Sequence, residues 1–149
     1  MKCLVIGRGP WGRNIAKTLR ELRQDVTVVG STDMLPLSDA AFIATPASTH
    51  CSLIQAMFSA GVPVFCEKPM AVGIAEATFL LEMWERAGKP VFLVDHLQLF
   101  NEDVEDAKVE SELNIYAEGP GPFRPDCSGL WDWGSHAVAE ALYLCNATK

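Results

Sequence analysis

The sequence predicts an α/β protein, in which a doubly wound parallel sheet is followed by a much reduced C-terminal α+β segment. Over the first part of the chain, short apolar runs alternate with stretches of helical periodicity. Such alternation is typical of parallel strands covered by helices on both faces. The chain then becomes acidic and afterwards rich in glycine and proline. We therefore divide it into a first domain, 1–100, and a remnant of a second domain, 101–149.

The first domain is predicted to hold five strands and three helices. Apolar and β-branched runs indicate the strands, and apolar residues spaced three and four apart indicate the helices. In chain order these are strand 2–6, helix 11–22, strands 25–29 and 40–44, helix 48–60, strand 62–66, helix 74–87 and strand 91–94. The connection between the second and third strands is too short for a regular crossover helix, so we expect an irregular loop.

The C-terminal segment carries weaker signals. Residues 101–112 are acidic and favour one exposed helix, 113–117 favour a strand, and 118–126 favour a glycine- and proline-rich loop. Residues 131–145 favour a helix, which places Asp132 and His136 on one helix face because they lie four positions apart.

Composition excludes several classes of function. The chain of 149 residues has a formal net charge of −7, which disfavours nucleic acid and anionic membrane surfaces as partners. It lacks an apolar run of transmembrane length, and its N-terminal apolar run is too short for a signal peptide. Five cysteines without a C-x-x-C pair indicate reduced thiols. We expect a cytoplasmic protein without a metal site.

The segment GRGPWG, residues 7–12, matches the pattern G-x-G-x-x-G. It follows an apolar strand and opens a helix, which is the context that supports dinucleotide binding. The first glycine allows the tight turn, the second lets the backbone approach a pyrophosphate, and the third permits close helix–strand packing. We predict as cofactor-binding residues Gly7, Arg8, Gly9, Pro10, Trp11 and Gly12. The alternative is a glycine-rich turn without a ligand.

The residues after the second strand bear on the choice between NAD and NADP. An acidic residue there favours NAD, whereas small hydroxyl residues leave room for the 2′-phosphate of NADP. The chain has Ser31 and Thr32, which we predict to contact the cofactor, and Arg8 is a candidate for the phosphate. These residues favour NADP. Asp33 stays open as an NAD-type acid, because the short loop leaves its position undetermined.

Lys68 follows the fourth strand in the segment FCEKPM. Ligands bind at the carboxyl ends of strands in such sheets, and a lysine there can stabilise a developing alkoxide. The alternative is a surface Glu67–Lys68 pair at a strand end.

Five motifs in order resemble the Gfo/Idh/MocA family of NAD(P)-dependent oxidoreductases, which act mostly on sugars, cyclitols and related polyols. They are IGRGPWGRN, ATPASTH, AGVPVFCEKPMA, VDHLQLFN and CSGLWDWGSHAVAEALYL. The resemblance covers nearly the whole chain. The first and last motifs are most similar to those of members that act on nucleotide-linked sugars.

The resemblance implies roles for particular residues. Lys68 is the catalytic lysine, His136 takes the hydroxyl proton during hydride transfer, and Asp132 orients the imidazole or binds a substrate hydroxyl. The loop of Thr45 and Pro46 faces the nicotinamide half of the cofactor. His50 and Glu67 are also expected at the cofactor site. A structural role for His50 stays open, as does an ordinary helix with solvated polar residues for Asp132 and His136, and His96 is interpreted as structural.

The chain departs from the family after His136. Members usually carry a large, mostly antiparallel sheet there, and we expect this sequence to have at most a reduced one, with truncation of the gene as the alternative. The apolar segment 137–145 then lacks its usual packing surface, so we expect a homo-oligomer, in particular a dimer. The function expected is hydride transfer between a nicotinamide cofactor and a sugar-like hydroxyl or ketone. The alternative is a non-catalytic dinucleotide-binding module or partner subunit.

Overall fold

The computed structural model describes residues 1–105, 115–116 and 125–145. The chain divides into two compact units, Met1–Asp95 and a second unit that begins at His96.

The first unit is a five-stranded parallel sheet with helices on both faces. Its strand order is β2-β1-β3-β4-β5. The elements are β1 (Lys2–Ile6), α1 (Pro10–Glu21), β2 (Asp25–Val29), β3 (Ala40–Ile43), a 3-10 turn (Ala47–Thr49), α2 (His50–Ser59), β4 (Val64–Glu67), α3 (Ile74–Arg86) and β5 (Phe92–Asp95). The doubly wound parallel sheet predicted from the sequence is confirmed.

The central strand β1 divides the core into two layers. Cys3 and Val5 pack with Ala16 and Leu19 of α1 on one face. Leu4 and Ile6 point to the opposite face, where their cluster includes residues of α2 and α3. This alternation follows from the two-residue period of a strand, and all four β1 side chains are at most 1% exposed.

The order of the strands reverses beside β1. The chain leaves β1 through α1 to reach β2 on one side, and then returns to β3 on the other side. Ala44 donates from its backbone nitrogen to the carbonyl of Ile6 (2.8 Å), and Gly7 donates to Val29 (2.8 Å). The carboxyl ends of β1 and β3 therefore form the topological switch point, where open α/β sheets bind their ligands.

The elements predicted for the first unit agree with the structure except at their ends. The predicted fourth strand began at Val62, whereas β4 begins at Val64, after Pro63, which has no N–H to donate to a ladder. The predicted helix 48–60 is a 3-10 turn followed by α2. As expected, the connection between β2 and β3 contains no helix.

The second unit contains short helical segments. They are a 3-10 turn (Leu97–Phe100), α4 (Glu102–Glu105), α5 (Gly129–Asp132) and α6 (Gly134–Leu144). Most of the strand predicted at 113–117, most of the predicted acidic helix and most of the predicted loop at 118–126 lie outside the described residues; the described residues 115–116 are not in a strand.

The single helix predicted at 131–145 is interrupted at one residue, Trp133, which lies between α5 and α6 and keeps a right-handed helical backbone conformation (φ −97°, ψ −40°). Gly134 is a poor helix former, and the Ser135 hydroxyl donates to the carbonyl of Asp132 (3.3 Å), which competes with regular helical bonding. Asp132 and His136 therefore lie on either side of this interruption.

Two leucines test the assignment of the core. Leu4 is 0% exposed and Leu37 is 96% exposed. Leu4→Ala should lower the free energy of unfolding by about 2–5 kcal/mol, because it leaves a cavity in a packed core. Leu37→Ala, the matched control, should change it by less than about 0.5 kcal/mol. Urea unfolding measures both, and equal losses would contradict this description of the core.

Candidate functional site

The glycine turn lies at the switch point, and two of its glycines are sterically required. Gly7 has a φ of +132°, and a Cβ there would overlap the carbonyl of Ala44. A Cβ at Gly12 would overlap the carbonyl of Gly7. By contrast, a Cβ at Gly9 would meet no atom within 4 Å. The turn is thus closely packed on its protein side and open at the glycine where a pyrophosphate would approach.

The turn also presents positive charge and backbone donors. Helix α1 begins at Pro10, and its first turn contains no acidic residue. The guanidinium of Arg13 donates to the carbonyl of Arg8 (2.7 Å), which holds a second cation beside the turn. Helix N-termini bind anions through unpaired N–H groups and the helix dipole. The arrangement suits a diphosphate, and the exposed Trp11 lies in the same turn.

Asp33 is brought to the end of β2 by the irregular loop. Its Oδ2 accepts from the backbone nitrogen of Gly30 (2.8 Å) and from Nη2 of Arg8 (2.5 Å). Ser31 and Thr32 form the turn between Gly30 and Asp33. The Asp33 carboxylate therefore lies at the end of β2, although the sequence alone did not determine its position. It pairs with Arg8, the candidate for contacting a 2′-phosphate.

The loop after β3 is held by side chains as well as by the backbone. The hydroxyl of Thr49 lies 2.7 Å from that of Thr45 and 2.7 Å from the carbonyl of Pro46. His50 is 1% exposed, and its ring lies against the carbonyls of Thr45 and Pro69. The His50 side chain is therefore enclosed within the protein rather than presented at the surface of this loop.

Glu67 and Lys68 end β4 on the same edge of the sheet, and both are half-buried. Burial, with a smaller contribution from Glu67, raises the pKa of the adjacent Cys66 thiol well above its usual value. Cys66 therefore stays protonated at neutral pH and is not a nucleophile. The glycine turn, the Thr45 loop and Lys68 all follow adjacent parallel strands, so they lie at the same carboxyl edge of the sheet.

The second unit buries the other two candidate catalytic residues. Asp132 is 7% exposed and His136 is 8% exposed. The His136 ring meets the ring of His96 edge-on, with centroids 5.5 Å apart, and lies 6.2 Å from that of Trp133. The alternative of two solvated polar residues is therefore wrong for this pair.

The sequence interpretation missed two features of these sites. It did not anticipate that the ring of His96, interpreted as structural, packs on His136; the signal was the position of His96 directly after β5. It also did not anticipate the ion pair of Arg8 and Asp33, which depends on how the short loop folds back.

The described residues hold neither a cluster of metal-binding side chains nor a membrane-spanning helix. In ranges 1–105, 115–116 and 125–145, no three His, Cys, Asp or Glu side chains cluster closely enough to hold a metal ion. Within those same ranges, the helices are too short or too polar to cross a membrane.

The first unit thus has the architecture of a dinucleotide-binding Rossmann domain, and comparison with known proteins agrees. Residues 31–96 match the family model described as "Oxidoreductase family, NAD-binding Rossmann fold". Over this region the chain is therefore similar to the Gfo/Idh/MocA oxidoreductase family.

Individual relatives extend this comparison. The chain is 32% identical over 80 residues to D-apiose dehydrogenase of Paraburkholderia graminis, which covers 54% of the chain and 20% of that protein. A crystal structure from Magnetospirillum magnetotacticum assigned as an oxidoreductase is 27% identical with a TM-score of 0.74, covering 98% of this chain and 57% of that one. The structure of UDP-N-acetylglucosamine 3-dehydrogenase from Acidithiobacillus ferrooxidans is 25% identical with a TM-score of 0.59, covering 67% of this chain and 39% of that one. The chain spans about a fifth of the length of the curated relatives it matches.

The glycine turn yields a stability test that is independent of any ligand. Gly12→Ala should lower the free energy of unfolding by about 1–3 kcal/mol, because its Cβ would overlap backbone. Gly9→Ala, the matched control in open space, should change it by less than about 0.5 kcal/mol. Chemical denaturation followed by circular dichroism measures both. A neutral Gly12→Ala would refute the close approach of α1 to Gly7.

Proposed function

We propose that the chain is an NAD(P)-dependent oxidoreductase that transfers hydride between a nicotinamide cofactor and a hydroxyl or ketone of a sugar-like compound. The observation that carries the proposal is the glycine turn, which is packed against backbone at Gly7 and Gly12 but open at Gly9, at the switch point of the sheet. The family match and the named dehydrogenases among the relatives support the same chemistry.

The residues of the first unit fit a dinucleotide. The N-terminal amides of α1, with Arg13 beside them, suit the pyrophosphate, and the end of β2 suits the adenosine ribose. The loop of Thr45 and Pro46 is assigned to the nicotinamide side by the family resemblance. A bound nicotinamide supplies hydride transfer, which protein side chains cannot carry out themselves.

We favour NAD as the cofactor, although Ser31 and Thr32 taken alone favour NADP. The carboxylate of Asp33 would repel a 2′-phosphate and can accept a hydrogen bond from a 2′-hydroxyl. Arg8, the cation available for that phosphate, is already paired with Asp33. The same contacts support placing Asp33 among the cofactor-binding residues.

Nicotinamide fluorescence during titration with NADH and NADPH tests both the site and the choice of cofactor. We expect saturable binding that is tighter for NADH. Asp33→Ser should shift the ratio of the two dissociation constants towards NADPH by about tenfold or more, because it removes the repulsion and releases Arg8.

The control for this titration is Asp25→Ser, at the opposite end of β2, which should leave the ratio unchanged. Binding of neither cofactor at about 1 mM, a weak-affinity limit, would contradict the proposed function. Tighter binding of NADPH by the unaltered protein would contradict the choice of NAD alone.

For the chemical step we propose Lys68, His136 and Asp132, following the resemblance. The Lys68 ammonium would donate to the substrate oxygen and stabilise its negative charge. His136 would exchange the hydroxyl proton, for which an imidazole is suited near neutral pH. Asp132 would orient the imidazole or bind a substrate hydroxyl. Each role is an independent hypothesis that its own variant can test.

An assay of turnover distinguishes an enzyme from a non-catalytic dinucleotide-binding module. Across a panel of polyols and nucleotide sugars, we expect cofactor-dependent turnover that Lys68→Met lowers by about 100-fold or more, since one preorganised donor to a charged transition state is worth that much. The dissociation constant of NADH should change by no more than about twofold, which corresponds to less free energy than one hydrogen bond. Lys17→Met, on the exposed face of α1, is the control. Tight cofactor binding without turnover on any compound would support the non-catalytic alternative instead.

A homodimer is also part of the proposal. Helix α6 exposes Val138, Leu142 and Tyr143, each at least 43% exposed. Apolar side chains grouped on one helix commonly mark an interface.

A further inference from the structure

His50 connects two loops that follow neighbouring strands. Its Nε2 lies 2.9 Å from the carbonyl oxygen of Thr45, after β3, and its Nδ1 lies 2.8 Å from that of Pro69, after β4. The ring is 1% exposed, so water does not compete for either nitrogen. His50 itself begins α2, and the bridge therefore joins three elements.

The partners of the ring restrict its protonation state. A carbonyl oxygen can only accept a hydrogen bond, so each contact is a hydrogen bond only when the facing nitrogen carries a proton. A neutral ring would leave one nitrogen lone pair directed at a carbonyl oxygen, which is repulsive. Both contacts are satisfied together only in the imidazolium form.

Opposing effects act on the positive charge of an imidazolium at His50. Burial and the N-terminal position in α2 disfavour a cation, whereas two charge-assisted hydrogen bonds to carbonyls favour it. The titratable groups on the surrounding elements include Cys51, Cys66, Glu67, Lys68 and Glu76. The carboxylate of Glu76 accepts from the backbone nitrogen of Val72 (3.0 Å). The two short contacts favour the imidazolium, because with a neutral ring one of them would be repulsive.

We propose that His50 is a positioning residue, a doubly protonated bridge that fixes the loop bearing Lys68 relative to the loop of Thr45 and Pro46. The proposal rests on the proposed function, which assigns the Thr45 loop to the nicotinamide side of the cofactor. Pro69 directly follows Lys68, so the bridge sets the backbone from which that lysine projects. His50 then acts through these loops and needs no contact with the cofactor.

Two ligands separate positioning from a general structural role. NADH contains the nicotinamide half, whereas ADP-ribose contains only the part expected at the glycine turn and β2. His50→Phe keeps a ring but removes both donors. This variant should weaken the affinity for NADH by about tenfold, the equivalent of one to two hydrogen bonds. It should change the affinity for ADP-ribose by no more than about twofold. His50→Gln, which keeps an N–H donor, should recover part of the NADH affinity.

Ser48→Ala, an exposed residue in the same segment, is the control and should alter neither affinity. Equal weakening of both ligands by His50→Phe, in a variant whose circular dichroism matches that of the unaltered protein, would overturn the positioning role. So would unchanged affinity for both ligands.

Nuclear magnetic resonance tests the bridge without any ligand. The chain has 3 histidines, so 15N-histidine labelling gives a simple spectrum, and His50→Gln identifies the His50 signals. At pH 7 we expect both His50 ring nitrogens to show the shifts of protonated nitrogen. A signal from one unprotonated ring nitrogen would overturn the double bridge. If the unaltered protein bound neither ligand, the proposed function would fail while this spectrum still decided the bridge.

Discussion

The close approach of backbone at the end of β1 is the constraint on which the rest of the structure depends. Helix α1 can follow β1 so directly only because Gly7 and Gly12 have no Cβ. The same absence at Gly7 lets the carbonyl of Ala44 lie against the turn, which brings the β3 loop to the switch point. One steric condition therefore positions the helix N-terminus, the glycine turn and the Thr45 loop at one edge of the sheet.

The short connection between β2 and β3 adds the charge of the site. Without a crossover helix, the chain folds back at once, and Leu35 packs against the core while Met34 and Leu37 stay exposed. This fold-back places the Asp33 carboxylate on the backbone nitrogen of Gly30 and beside Arg8. The short connection between β2 and β3 thus determines which charges lie at the ribose end of the site.

Much of this was predictable from the sequence, because strand and helix periodicities are local. The run KCLVI and the turn GRGPWG define β1 and the start of α1 without knowledge of distant residues. The pairing of Arg8 with Asp33 was not predictable, since it joins residues 25 positions apart through an irregular loop. The bridge made by His50 depends in the same way on a carbonyl 19 positions away. Tertiary contacts of this kind leave no periodic signal.

The interruption at Trp133 bears on the second pair of polar residues. Regular helical spacing would give Asp132 and His136 a shared face, but the helix is interrupted between them. Both are nevertheless buried, so packing rather than periodicity accounts for their position. Aspartate is rarely buried unless its charge is compensated, so the burial of Asp132 implies that its surroundings compensate the carboxylate. Such an environment differs from the solvated polar face of an ordinary amphipathic helix, whatever the local helix geometry.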